Sequence, residues 1–208
     1  MTSPLLLPAP LPPHGDRRRG RIGLLGGSFN PAHEGHRHIS LAALRMLGLD
    51  EVWWLVAPQN PLKPVEETAP LAERLSRARA EARHPRIRPT DIERRLGTRY
   101  TVNTLAILRK RFPRARFVWL MGSDNLLQIP RWFRWTRLFG TVPIAVLPRS
   151  PYSLRALAGM AARRYARARV PRRRARLLAG AEPPAWLFLP LGPHPASSTA
   201  IRARHVKI

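Results

Sequence analysis

At 208 residues the chain is long enough for one well-buried domain and cramped for two, and a hydrophobic share of 44% excludes general disorder. With no cysteine there is neither a disulfide framework nor a thiolate metal site, and no run of about 18 apolar residues stands ready to cross a membrane. The formal charge of +25 is nearly all arginine, lysine standing only at Lys63, Lys110 and Lys207; such a field attracts nucleotides, pyrophosphate, RNA and acidic surfaces alike, and so does not choose among them.

Residues 1–20 carry prolines through an apolar stretch and charges after it, the reverse of a secretory signal, and read as a flexible proline- and arginine-rich tail ahead of a single domain over 21–208. Strand patterns then fall at 22–26, 52–57, 87–89, 117–121, 143–147 and 186–189, with helical patterns at 35–47, 71–82, 102–112, 126–138 and 154–169. This alternation predicts an α/β fold, a Rossmann-like doubly wound parallel sheet with helices on both faces. Ligands of such sheets collect at the carboxyl ends of the strands, where "GGSFNPAH", "APQNPLKP", "GSDN" and "PRSPY" all lie. The arginine-dense run over 163–178, interrupted by Pro171, reads as a solvated face, with an RNA-binding face as the alternative; it lacks the interleaved aromatics on which bases stack. Near the end of the chain, "SST" before Ile201 and Arg202 has the hydroxyls of a helix N-terminus.

The stretch "GLLGGSFNPAHEGHRHIS", 23–40, is the most informative. It reads as a strand, a tight turn at Gly26 and Gly27, and the first turn of a helix whose bare N–H groups and dipole favour an anion. His33 and His36, three residues apart, share one face of that turn and can both donate to one phosphate. A capping role for these histidines, a metal cluster with His38, a core role for Trp132 and a helix-capping role for Asp124 are the alternatives that the residues alone leave open.

The combination of "GGSFNPAHEGH" and "SSTAIR" resembles the nucleotidyltransferases of the HxGH class, specifically bacterial nicotinate-nucleotide adenylyltransferase. "DIERRLGTRYTVNTL" and "FVWLMGSDNLLQIPRWFRW" are similar to the family's intervening segments, in the same order. The resemblance implies transfer of an adenylyl group from ATP to nicotinate mononucleotide, with Mg2+ accompanying ATP, in a cytoplasmic enzyme of NAD biosynthesis. By position it implies ATP contacts from the turn at Gly27, Ser28 and Phe29, from His33 and His36, from Gly122 and Asp124, from Arg149, and from Ser198, Thr199 and Arg202, with His33, His36 and Arg202 catalytic. Nicotinate mononucleotide would meet Thr101, Trp132, the N–H of Phe133, and Lys63. The nicotinamide form of the mononucleotide is the near rival substrate, and a basic nucleic-acid-binding protein the rival of a different class. Neither a membrane nor a nucleic-acid partner is expected, and an oligomer is compatible with all of this.

Overall fold

In the computed structural model, which describes residues 11–58, 68–148, 152–189 and 191–192, the six apolar runs pair into one parallel sheet. Its strands are β1 (Gly20–Gly27), β2 (Glu51–Val56), β3 (Ile87–Thr90), β4 (Ala115–Gly122), β5 (Ile144–Leu147) and β6 (Trp186–Phe188), in the order β3-β2-β1-β4-β5-β6. Because successive side chains point to opposite faces, the runs divide between two cores. Leu24, Trp53, Leu55, Trp119 and Met121 enter one; Leu25, Trp54, Val56, Val118 and Leu120 enter the other.

The second core is covered by α1 (Glu34–Met46) and α2 (Leu71–Ala82), through Ala43, Leu44, Leu75 and Ala78. The first is covered by α3 (Ile92–Arg95), α4 (Thr101–Arg111), α5 (Ser123–Gln128), α6 (Trp135–Phe139), α7 (Ser153–Leu157) and α8 (Met160–Arg164). Helices therefore lie on both faces, and the order reverses between β1 and β4, where doubly wound sheets open a crevice. No helix among the described residues is long and apolar enough to cross a membrane.

Three expectations need correction. The helix expected over 126–138 is broken, because Pro130 lies in a 3₁₀ turn at Ile129–Arg131 and Arg134 takes a left-handed φ of 49° before α6. That expected over 154–169 divides at Gly159, whose extended ψ of 167° ends one helix and caps the next. The flexible tail does not extend to residue 20: Leu11 is 1% exposed, and Arg18 lies over the rings of Trp53 and Phe112 at 5.5 and 5.6 Å while pairing with Asp16. Desolvated aromatic faces hold a guanidinium there. In the basic run, Ala175, Leu178 and Ala179 of the 3₁₀ segment Arg172–Gly180 are buried, whereas Arg172, Arg173, Arg174 and Arg176 are exposed.

Candidate active site

Parallel register sets the rim of the crevice. Leu25 of β1 pairs with Leu120 of β4, so two residues further on Gly27 and Gly122 are level; Gly27 also pairs with Val56, and Gly122 with Leu147. The loops leaving β1, β2, β4 and β5 thus start at one height.

The turn after β1 is not made by its glycines. Gly26 and Gly27 are still extended strand, and the left-handed residue is Phe29, at φ 49°. That conformation is costly for a bulky side chain and persists only where packing enforces it. The Phe29 ring is 2% exposed, stacks on Trp54 at 5.2 Å and lies 4.6 Å from the His36 ring. Gly26 answers a different demand, since a Cβ there would come within 2.3 Å of Cη2 of Trp119. We expect Gly26→Ala to destabilise the fold by about 1–3 kcal/mol through overpacking. Urea unfolding would measure this, and a wild-type midpoint would show that Trp119 can yield.

His33 and His36 cap α1 reciprocally. His33 is the residue before the helix, and its Nδ1 accepts from the N–H of Gly35 at 3.1 Å; Nδ1 of His36 accepts from the N–H of His33 at 3.2 Å. The rings lie 3.9 Å apart. Capping, read from sequence as a rival to phosphate binding, is compatible with it. A nitrogen that accepts carries no proton, so the neutral imidazoles bear theirs on Nε2, at the opposite edge. Nε2 is therefore the edge from which a neutral ring can donate. Ser40 steadies the arrangement: its hydroxyl donates to the His36 carbonyl at 2.7 Å and accepts from Nε1 of Trp54 at 2.8 Å.

Across the crevice, Thr101 opens α4 after Tyr100, whose ring stacks on Phe133 at 4.5 Å. Trp132 stands edge-on to Trp119 at 6.5 Å, half-buried against the first core. Thr101, Trp132 and Phe133 are thereby brought to one region, and Trp119 links them to Gly26 of β1. Trp132 proves part core and part exposed surface. The first turn of α4 is pinned from below by buried Glu93, which accepts from the Thr104 hydroxyl at 2.9 Å; the hydroxyl of Thr98 lies 2.9 Å from that of Thr104. Burial pushes the Glu93 carboxyl up to about 7, against a weaker opposite pull from the Thr104 bond.

Asp124 lies in the first turn of α5, at the rim after β4, but Gly122 occupies the N-cap position, so the capping alternative fails on position. Lys63, Arg149, Ser198, Thr199 and Arg202 lie outside the described residues. Among the described residues no three His, Cys, Asp or Glu side chains group as metal ligands. The ring of Phe29, Trp54, Ser40 and Glu93 escaped the sequence reading. In a strand pattern Trp54 is indistinguishable from ordinary core, and Glu93 sits in a four-residue helix too short to show a period.

The model of the cytidylyltransferase-like family matches residues 24–204, spanning both the histidine turn and the hydroxyl-rich tail. The chain belongs to the cytidylyltransferase-like family. Among relatives in this family, a protein of Cereibacter sphaeroides (strain ATCC 17025 / ATH 2.4.3) is 59% identical over 182 residues, covering 88% of this chain and 96% of its own; it bears the name "Probable nicotinate-nucleotide adenylyltransferase". One of Gluconacetobacter diazotrophicus with the same name is 53% identical over 189 residues, covering 91% and 88%. The doubly wound cytidylyltransferase-like fold is also that of the Plasmodium falciparum nicotinic acid mononucleotide adenylyltransferase solved with NaAD. The two share a TM-score of 0.66 at 15% identity, over 89% of this chain and 83% of the other.

Proposed function

We propose that this protein transfers the adenylyl group of ATP to nicotinate mononucleotide, releasing pyrophosphate and forming nicotinate adenine dinucleotide. The observation that carries it is the 59% identity, over 96% of its length, to a relative bearing that enzyme's name. The rim geometry supports the same chemistry. Cytoplasmic work belongs to this proposal, since its substrates are ATP and a free nucleotide.

A phosphate oxygen of nicotinate mononucleotide forms the new bond to the α-phosphorus of ATP as the bond from that phosphorus to the bridging oxygen breaks, and the electron pair leaves with pyrophosphate. The attacking phosphate is already an anion, so no side chain need deprotonate it. What the protein supplies is alignment of two like-charged reactants, worth about 7–11 kcal/mol, and donors for the charge that builds during transfer. In this reading Nε2–H of His33 and of His36 donate to the phosphates of ATP, with the backbone N–H groups of Gly27, Ser28 and Phe29 beside them. Arg202, Ser198 and Thr199 serve the β- and γ-phosphates, and Asp124 accepts from ribose hydroxyls beside Gly122, with Arg149 near the adenine. Thr101, Trp132, the N–H of Phe133 and Lys63 receive the mononucleotide. Mg2+ fits best as an ion carried in on the triphosphate, because the described residues offer it no three-ligand group of His, Asp or Glu. Bound there, it would neutralise phosphate charge.

We expect purified protein to release pyrophosphate from ATP, Mg2+ and nicotinate mononucleotide. The amide form should be used with kcat/KM lower by roughly 10²-fold or more, since donors built for a carboxylate lose their partners against an NH₂ group. Folded protein that makes neither product would overturn the proposal, and equal use of both nucleotides would overturn its choice of substrate.

A further inference from the structure

Arg74 is a buried charged group that this site does not explain. It lies on α2, is 2% exposed and meets no carboxylate within ion-pair distance among the described residues. Its guanidinium instead donates to four carbonyls of three separate segments. Nη1 reaches Ser28 O and Ala57 O, each at 2.7 Å; Nη2 reaches Pro58 O at 2.9 Å; Nε reaches Ala69 O at 2.7 Å. Desolvation lowers its pKa, the mark of a cation held at a cost. A cation buried without an anion is expensive, and carbonyl dipoles offset that expense only if the backbone keeps them aimed at the fork.

Those carbonyls belong to the turn after β1, to Ala57 and Pro58 at the exit of β2, which pairs with β1, and to Ala69 just ahead of α2. We propose that Arg74 is a positioning residue that clamps the turn carrying the phosphate-binding groups to the chain leaving β2, fixing where that turn stands on the β1–β2 side of the substrate crevice. Ser28 is held through its carbonyl, which leaves its N–H and that of Phe29 uncommitted to the clamp. A side-chain bond supports the same union, the N–H of Ala69 donating to Asn30 Oδ1 at 3.4 Å. Lysine cannot replace this fork, because an ammonium carries its donors on one atom and cannot span four carbonyls in a plane. The proposal rests on the assignment of the crevice to ATP and nicotinate mononucleotide.

Arg74→Lys and Arg74→Ala in the full chain test it, with His36→Ala assayed beside them. Expected for Arg74→Lys is a protein with native near-ultraviolet circular dichroism, raised KM for both substrates and kcat reduced about 10²-fold, the scale of a misplacement near 1 Å. Amide exchange should quicken in the β1–α1 turn and at Ala57 and Ala69, but not in β4 or β5. Ethylguanidinium added to Arg74→Ala should restore at least roughly tenfold of the lost kcat/KM by refilling the fork. Unchanged kinetics, exchange that quickens throughout the sheet, failure of both variants to fold, or no rescue would each overturn the clamp. If His36→Ala stays active while the Arg74 variants fail, it is the assignment of the crevice that falls, and localised exchange then upholds the clamp. The converse overturns the clamp alone.

Discussion

His36→Ala is expected to lower kcat for pyrophosphate release by about 10²–10³-fold, the loss typical of removing one donor aimed at developing charge. It should also cost about 1 kcal/mol of stability, because the ring accepts from the His33 N–H in the reciprocal cap. His36→Gln separates the two effects. Glutamine is a natural occupant of the third helical position in a capping box and can return an acceptor to the His33 N–H. We therefore expect it to recover most of the stability in urea unfolding and little of the turnover. A glutamine enzyme working within about threefold of the wild-type rate would show that the reaction does not need the imidazole.

The second large effect is on stability, and it depends on pH. In the folded chain the Glu93 carboxyl is raised to about 7 from an ordinary value of 4.5, with burial as the main cause. Between those values the unfolded chain has released a proton that the folded chain keeps. The contribution is thus fully present below pH 4.5 and is lost as pH rises through 7, amounting to about 3 kcal/mol. Glu93→Gln keeps an acceptor for the Thr104 hydroxyl and carries no charge. Relative to the wild type, it should gain most of that amount on going from pH 5 to pH 8, roughly 5–10 °C in Tm. His84 works in the opposite sense, since partial burial lowers its pKa, but it is common to both proteins and cancels in the difference. A gap between the two that does not vary with pH would remove Glu93 as the titrating group.

The sheet was legible because six apolar runs of strand length, each followed by a turn or a helical period, admit few other arrangements. The strand boundaries differ by no more than two residues at either end, the largest offsets falling at 22–26 against Gly20–Gly27 and at 117–121 against Ala115–Gly122. Where the reading failed, the deciding force was tertiary. The glycine pair in "GGSF" suggests a glycine turn, yet the left-handed residue is Phe29, and only the stack on Trp54 explains why a phenylalanine accepts it. Pro130 was a visible warning that the pattern over 126–138 would break, whereas Arg134 at φ 49° was not. Arg74 could not have been singled out in a chain so rich in arginine, for nothing in "LAERLSRARAEA" marks which guanidinium turns inward. The site fared unevenly for a similar reason. The two histidines and the Thr101, Trp132 and Phe133 region stood out through motif, while the residues that hold them, Ser40, Trp54 and Glu93, look like ordinary filling.

The reciprocal cap narrows what evolution can place at its two positions. Serine or aspartate would start the helix as well as His33 does, but neither would keep a proton to offer a phosphate from the far side of its capping oxygen. Lysine would offer protons and start nothing. Asparagine and glutamine also carry an acceptor and donors, but on a rotatable amide of different reach, so only the imidazole holds the cap acceptor and the anion donor in one fixed relation on a rigid ring.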